Sequence, residues 1–297
     1  MAKPILFDPV ESPYLVDDTF KIDKAPTEPP KDAPGKKERV EALAHSVDRL
    51  SKLQHKLYAH GEYSVLLVFQ AMDAAGKDGT IRAVLTGVNP QGIQVISFKA
   101  PSSGELDHDF MWRVNNALPM RGRIGVFNRS HYEEVIVVRV NPELLGNERL
   151  PQLPKNLDDL WEQRCESISG FEKHWAREGM VILKFFLNVS QEEQHRRFLD
   201  RLVDPDDNWK FNAGDWRETK KWDKYMTAYQ ATLRSTSKKY APWYSIPADS
   251  KSFMRQAVAD IVVRTVSQLE LSYPSVPDHD RVELDKIRKE LEAELAR

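Results

Sequence analysis

The chain has 297 residues, 41% of them hydrophobic and 30% charged, with 43 basic side chains set against 45 acidic ones. That mix is globular and water-compatible, and no apolar run approaches the length of a membrane span, so neither a membrane nor a fibrous role is expected. A net charge of −2 supplies no global basic field; nucleic acid is not an expected partner, and any polyanion must be held by local clusters.

Residues 1–35 contain Pro4, Pro9, Pro13, Pro26, Pro29, Pro30 and Pro34, a density that predicts an extended arm, not a packed element. From Lys36 to His60, Val40, Leu43, Val47, Leu50, Leu53 and Leu57 recur at three- and four-residue spacing, the pattern of an amphipathic helix covering a sheet. Val65-Leu66-Leu67-Val68-Phe69 then reads as a strand buried on both faces. It runs through Ala71, Ala74, Ala75 and Gly76 into Lys77, with a helix expected over 78–88.

Strand, small-residue turn, Gly-Lys and helix make the layout of a P-loop. Backbone N–H groups of the turn and the positive end of the helix would cradle phosphate oxygens, with Lys77 adding a mobile charge. The candidate phosphate-binding residues are therefore Ala74, Ala75, Gly76, Lys77, Asp78, Gly79 and Thr80. Ala71 replaces the usual first glycine, and Asp78 stands where a magnesium-binding hydroxyl is usual. Asp73, inside the loop, suggests that a carboxylate handles the metal instead. The competing reading is a fortuitous βα turn.

Further on, strands are expected at 92–98, 123–128, 180–189 and 243–246, and helices at 105–118, 132–138, 157–177, 191–202, 215–232 and 252–271. This alternation predicts an α/β fold with a parallel sheet flanked by helices on both faces, in one domain over 36–276. A charged helix is expected at the C-terminal end, about 277–297. In such sheets the ligand lies at the carboxyl ends of the strands. Those ends carry Lys99, the Asn128-Arg129 pair and, on the helix after the fourth strand, Arg196, Arg197 and Arg201. Asn128 holds the place where P-loop enzymes usually put a metal-binding Asp, and it still offers a carbonyl oxygen. Arg129 suits a bidentate grip on phosphate, or else pairs with Glu133 or Glu134. Residues 191–217 read as an arginine-bearing helical lid or as an ordinary solvated helix and loop. A lone Cys165 and an N-terminus without secretory features make cytoplasmic the expected location.

Taken together, MDAAGKDGTIR (72–82), GVNPQG (87–92), FKAPS (98–102), ELDHDFMWR (105–113), FNRSHYEEV (127–135), ILKFFLNVS (182–190), DPDDNWKF (204–211) and APWYSIPAD (241–249) resemble the polyphosphate kinase 2 family in order and spacing. The resemblance implies a P-loop kinase-like fold that moves a phosphoryl group between inorganic polyphosphate and a nucleotide, with Mg²⁺ or Mn²⁺. It implies Asp73 and Asn128 as metal ligands, and Lys77 and Arg129 as catalytic with them. Arg82, Lys99, Arg113 and Arg121 would line the polyphosphate path or the phosphate site, Glu133 would join the substrate-binding set, and Arg197 or Arg201 would be the lid arginine. Asn128 in place of the family's commoner Asp resembles the subgroup acting on both nucleoside mono- and diphosphates. Acceptors are then AMP and ADP, with guanine nucleotides as further candidates, in a dimeric or tetrameric enzyme. An ATP-dependent nucleoside monophosphate kinase is the alternative enzyme, and a non-catalytic polyphosphate-binding protein the alternative from another class.

Overall fold

The computed structural model describes residues 7–296; the first six residues of the expected arm and Arg297 lie outside them. The elements in order are α1 (Lys36–His60), β1 (Ser64–Gln70), α2 (Lys77–Leu85), β2 (Ile93–Ser97), α3 (Ser103–Leu106), α4 (Trp112–Asn116), β3 (Ile124–Asn128) and α5 (Glu133–Val140). They continue with α6 (Leu157–Arg177), β4 (Met180–Asn188), α7 (Gln191–Val203), α8 (Ala213–Thr219), α9 (Trp222–Thr236), β5 (Trp243–Pro247), α10 (Lys251–Val266) and α11 (Asp278–Leu295).

Five parallel strands form one sheet in the order β2-β3-β1-β4-β5. β1, β4 and β5 are buried along their whole length, as predominantly apolar strands are when both faces are covered, with Lys184 in β4 and Ser245 in β5 among the buried polar exceptions. α1, α2 and α10 pack together over one face, and α5, α6 and α9 over the other. Phe69 lies opposite Asn128 across β1 and β3, and Ser97 lies opposite Asn128 across β2 and β3. Three strands therefore end level with one another, so the segments that follow them meet at one edge.

Two expected helices are broken. Over 105–118, the Asp109 carboxylate accepts the Met111 amide at 2.9 Å and diverts a helical donor, separating α3 from α4. Over 215–232, α8 and α9 are separated at Lys220-Lys221. Among its described residues the N-terminal arm carries no helix, in keeping with its prolines, yet it is packed: Phe7, Val10 and Val16 are buried in the main core. Leu15 makes an antiparallel bridge with Tyr244 of β5.

Candidate active site

The loop leaving β1 coils tightly. Ala74 and Gly76 have φ of 63° and 104°, and a side chain at Gly76 would also come to 3.1 Å from Met254. Lys77 folds back over the loop, its ammonium donating to the Ala71 carbonyl at 2.9 Å and the Met72 carbonyl at 3.3 Å. Burial lowers its pKa, against the opposing pull of Asp73. Thr80, expected among the phosphate contacts, is buried and donates its hydroxyl to the Gly76 carbonyl at 2.9 Å, closing the first turn of α2. Ala75 is likewise interior.

At the end of β3, Arg129 has φ of 62°. Its amide donates to the Phe69 carbonyl at 3.1 Å, and its guanidinium reaches Asp73 Oδ1 at 2.7 Å. The pairing considered with Glu133 or Glu134 does not form; Glu134 instead faces Arg113 at 3.7 Å and Arg164 at 3.4 Å. Asn128 donates its side-chain amide to Asp78 Oδ1. The turn is anchored from the core side. Tyr132 donates its hydroxyl to Glu172 at 2.8 Å, and the buried Lys184 ammonium bonds Tyr132 at 2.8 Å and Glu172 at 2.6 Å.

The two arginines expected on a lid divide their duties. Arg197 is buried: it donates to the carbonyls of Ala74, Ala75, Ala248 and Asp249 and pairs with Glu193 at 2.8 Å. It is a clamp that ties the P-loop to the segment between β5 and α10. Arg201 lies over the Phe198 ring, forms no ion pair among the described residues, and faces open space. Gln194, not singled out by sequence, donates to the Asp73 carbonyl at 2.9 Å and fixes the loop from above.

Asp73, Lys77, Asn128, Arg129, Arg197 and Arg201 line a cleft of about 1010 Å³ that also takes in Arg82, Lys99, Lys210, Lys251 and Arg255. A second pocket of about 390 Å³ opens beside it, lined by Glu133, Val137, Asn141, Glu218, Lys221, Tyr225 and Tyr229 among others. Asp73, Arg129 and Asp215 belong to both cavities. Two expected contacts fall elsewhere. Arg113 packs over Phe98 and donates to the Lys99 carbonyl at 2.9 Å, facing neither cavity. Arg121 donates to the Glu62 carbonyl at 2.6 Å, beside the amino-terminal ends of β1 and β4, at the opposite edge of the sheet. The second pocket was missed because its polar groups come from separate helices; Tyr225 and Tyr229, one turn apart on α9, were the available signal.

The family model described as Polyphosphate kinase 2 (PPK2) matches residues 34–273. The chain belongs to the polyphosphate kinase 2 family. It is 50% identical over 251 residues to the ADP-polyphosphate phosphotransferase of Rhodopseudomonas palustris, covering 84% of this chain and 87% of that one. It is 47% identical over 242 residues to the AMP/ADP-polyphosphate phosphotransferase of Meiothermus ruber, covering 81% and 85%. The crystal structure of polyphosphate kinase 2 from Arthrobacter aurescens TC1 superposes with a TM-score of 0.84 at 34% identity, covering 95% of this chain and 98% of that one. The α/β, P-loop kinase-like fold expected from sequence is therefore that of the polyphosphate kinase 2 family. Among the described residues no helix is long and apolar enough to cross a membrane.

A kinase of this family calls for a divalent cation, and the oxygen donors present suit a hard one. Among the described residues no group of three His, Cys, Asp or Glu side chains forms a self-sufficient cage. Asp73 Oδ2 and the Asn128 carbonyl oxygen accept no hydrogen bond among the described residues, and Asp78 borders Asn128. Few protein oxygens at the mouth of a phosphate cleft fit an ion whose remaining ligands are substrate phosphates and water.

Proposed function

We propose that this member of the polyphosphate kinase 2 family moves the terminal phosphoryl group of inorganic polyphosphate onto AMP and ADP, reversibly. The observation that carries the reading is the pair of cavities meeting at Asp73 and Arg129. The larger is lined by Lys77, Arg82, Lys99, Arg129, Arg197, Arg201, Lys210, Lys251 and Arg255 against five acids, a balance suited to a polyanionic donor. The smaller offers Glu133, Asn141, Glu218 and two tyrosines, groups that accept from an exocyclic amine and ribose hydroxyls and stack on a base. A nucleotide seated there directs its phosphate to the junction, where an already ionised oxygen can attack the donor in line.

At that junction the chain positions and neutralises; it does not need to supply a base. Arg129 grips the transferring group and spreads the charge that develops on its oxygens. Lys77 exchanges its two carbonyl partners for phosphate oxygens, whose negative charge favours the ammonium against the burial that lowers its pKa. The first-turn amides of α2 receive the donor phosphates. Asp73 orients Arg129 and, with Asn128, would hold Mg²⁺ or Mn²⁺, which supplies charge neutralisation of the phosphates when bound. The bond from the terminal phosphorus to its bridging oxygen breaks, and polyphosphate shortened by one unit leaves.

The test is a matched assay with AMP or ADP as acceptor, and polyphosphate or ATP as donor, in the presence of Mg²⁺. ADP and ATP are expected from AMP, and ATP from ADP, with polyphosphate as the working donor. Phosphorylation of AMP by ATP alone would make the protein a nucleoside monophosphate kinase, and tight polyphosphate binding without product would make it a binding protein.

A further inference from the structure

β4 carries a lysine in the middle of a strand that is covered on both faces: Lys184, fully buried, stands opposite Val68 of β1 and Trp243 of β5. Its ammonium donates to the Tyr132 hydroxyl at 2.8 Å, to Glu172 Oε2 of α6 at 2.6 Å and to the Thr236 carbonyl at the end of α9 at 2.9 Å. Glu172 is equally buried, and its other oxygen accepts from the Tyr132 hydroxyl at 2.8 Å. The Tyr132 ring packs edge-on to Trp243, with centroids 4.8 Å apart. The β3–α5 turn, β4, α6 and α9 thus meet around one buried ammonium.

As a source of stability the ion pair is weak. Burial pushes the Lys184 ammonium down to about 8, against the pull of Glu172. A buried pair returns little more than its desolvation costs, and well-packed apolar side chains of similar volume often serve a fold as well or better. Its hydrogen bonds are directional, however, and accept one placement of Tyr132 where apolar packing would tolerate several. Tyr132 closes the turn that begins at Asn128, and Arg129, three residues before it, has φ of 62°. A residue strained in this way persists only where its surroundings over-determine it. On the strand side, the Asn128 carbonyl accepts the Phe98 amide at 3.1 Å, and the Arg129 amide is held by the Phe69 carbonyl at 3.1 Å. On the helix side, Gln70 Nε2 donates to Ser130 Oγ at 3.1 Å, and that oxygen also accepts the Tyr132 amide at 3.2 Å. The Tyr132 hydroxyl completes the hold on that side. Tyr132, Glu172 and Lys184 all lie behind the turn, outside the lining of both cavities.

We propose that Tyr132, Glu172 and Lys184 are positioning residues for phosphoryl transfer: the buried ion pair locks the Tyr132 hydroxyl, and the locked turn aims the Arg129 guanidinium at the junction of the cavities. The inference rests on Arg129 acting on the transferring group. The network touches no substrate, and its effect is carried by one side chain. It sets kcat through the placement of Arg129 and leaves the binding of donor and acceptor to the residues that line the cavities.

The experiment is a double-mutant cycle between Tyr132→Phe and Arg129→Gly, reading kcat, KM for ADP and for polyphosphate, and melting temperature in all four proteins. Tyr132→Phe keeps the ring and leaves Lys184 and Glu172 paired with each other, so it needs no second substitution to fold. Alone it is expected to lower kcat about tenfold, the scale of a displaced catalytic group, with both KM values within about twofold of wild type. In the Arg129→Gly background the same change is expected to lower kcat by less than about twofold, since the side chain it positions is gone, while its cost in melting temperature persists. Equal losses of kcat in both backgrounds would overturn the inference. Replacing the whole network by apolar groups, Tyr132→Phe with Glu172→Leu and Lys184→Met, is expected to restore the melting temperature to within a few degrees of wild type but not to restore kcat. Recovery of wild-type kcat in that triple variant would also overturn the inference. Wild-type kcat in Tyr132→Phe, beside a disabled Arg129→Gly, would overturn it and leave the role of Arg129 standing. Undiminished turnover in Arg129→Gly would overturn both.

Discussion

Arg129 is held in the left-handed backbone region, which costs an L residue about 1–2 kcal/mol. The compensation is placement: from that conformation its amide bonds the Phe69 carbonyl and its side chain meets Asp73 between the two cavities. Arg129→Gly should therefore separate function from folding. Its melting temperature is expected within a few degrees of wild type, because relieved strain offsets the lost ion pair, while kcat falls about a hundredfold or more. A large loss of stability in that variant would refute the strain argument, and retained turnover would refute the role of the guanidinium. Asp73→Asn keeps the size of the side chain but weakens the Arg129 pair and the proposed hold on a cation, so a loss of about a hundredfold in kcat is expected, only partly rescued by raising Mg²⁺. These residues were legible because each lies within a short motif fixed to a strand end. Arg113 and Arg121 were not, since sequence marks a base near a strand without telling which edge of the sheet it reaches; Arg121 reaches the amino-terminal one. Lys251 and Arg255 were hidden differently, within a helix whose buried Phe253, Met254, Ala257 and Val258 dominate its pattern.

Among the elements, α7 supports two distinct outcomes from two arginines one turn apart. Arg197→Ala removes a buried clamp that joins the P-loop to the segment after β5, and should lower stability by about 3 kcal/mol or more as well as activity. Arg201→Ala removes a cation at the cleft that has no ion pair among the described residues, and should reduce kcat with little change in melting temperature. Equal thermal losses in the two variants would contradict this division. α5 carries a pH-dependent contact of its own. Burial and the nearby Glu148 push the Glu134 carboxyl up to about 7, against the pull of Arg164 and Arg113. An unfolded Glu releases its proton near 4.3. Between about pH 4.3 and 7 the folded chain thus holds a proton the unfolded chain has lost, and this group's contribution to stability falls as pH rises through that window. Relative to Glu134→Gln, wild type should gain about 1–2 kcal/mol on moving from pH 7.5 to 5, and parallel melting curves for the two proteins would refute the shift. The long elements α1, α6 and β4 were readable because apolar residues recur along their whole length, even though Gln54, Arg164, Glu172 and Lys184 are buried among them. The breaks between α3 and α4 and between α8 and α9 were not. The second break rests on tertiary contacts: Lys221 and Glu218 turn toward Asn141, which builds the wall of the smaller pocket.

At the scale of the whole molecule, the sheet has two edges and treats them differently. β2, short and half-exposed, forms one. β5, fully buried, would present an apolar edge rich in aromatic residues if the N-terminal arm did not cross it, and such edges invite pairing between molecules. The arm's Val16 amide donates to the Trp243 carbonyl at 2.9 Å, and the Ser245 amide donates to the Tyr14 carbonyl at 2.8 Å. Further along, Asn188 holds the carbonyls of Ala25 and Pro26, and the Asp249 amide donates to the Thr27 carbonyl. Proline density announced an extended path but concealed this docking, whose signal was the apolar run Tyr14-Leu15-Val16 between the prolines. Asp249 is also a carbonyl partner of the Arg197 clamp, so the arm reaches to within one residue's contacts of the P-loop. Removing residues 1–30 strips the buried Phe7, Val10 and Val16 from the core, each worth about 1.5–3 kcal/mol. Allowing for relaxation, a net loss of about 3 kcal/mol should lower the melting temperature by about 6–12 °C. Light scattering should report association through the uncovered β5 edge, reversed by restoring the arm. A truncated protein that melts with the full chain and stays monodisperse would show that β5 needs no cover, and that the arm's hydrogen bonds contribute nothing to holding the P-loop clamp in place.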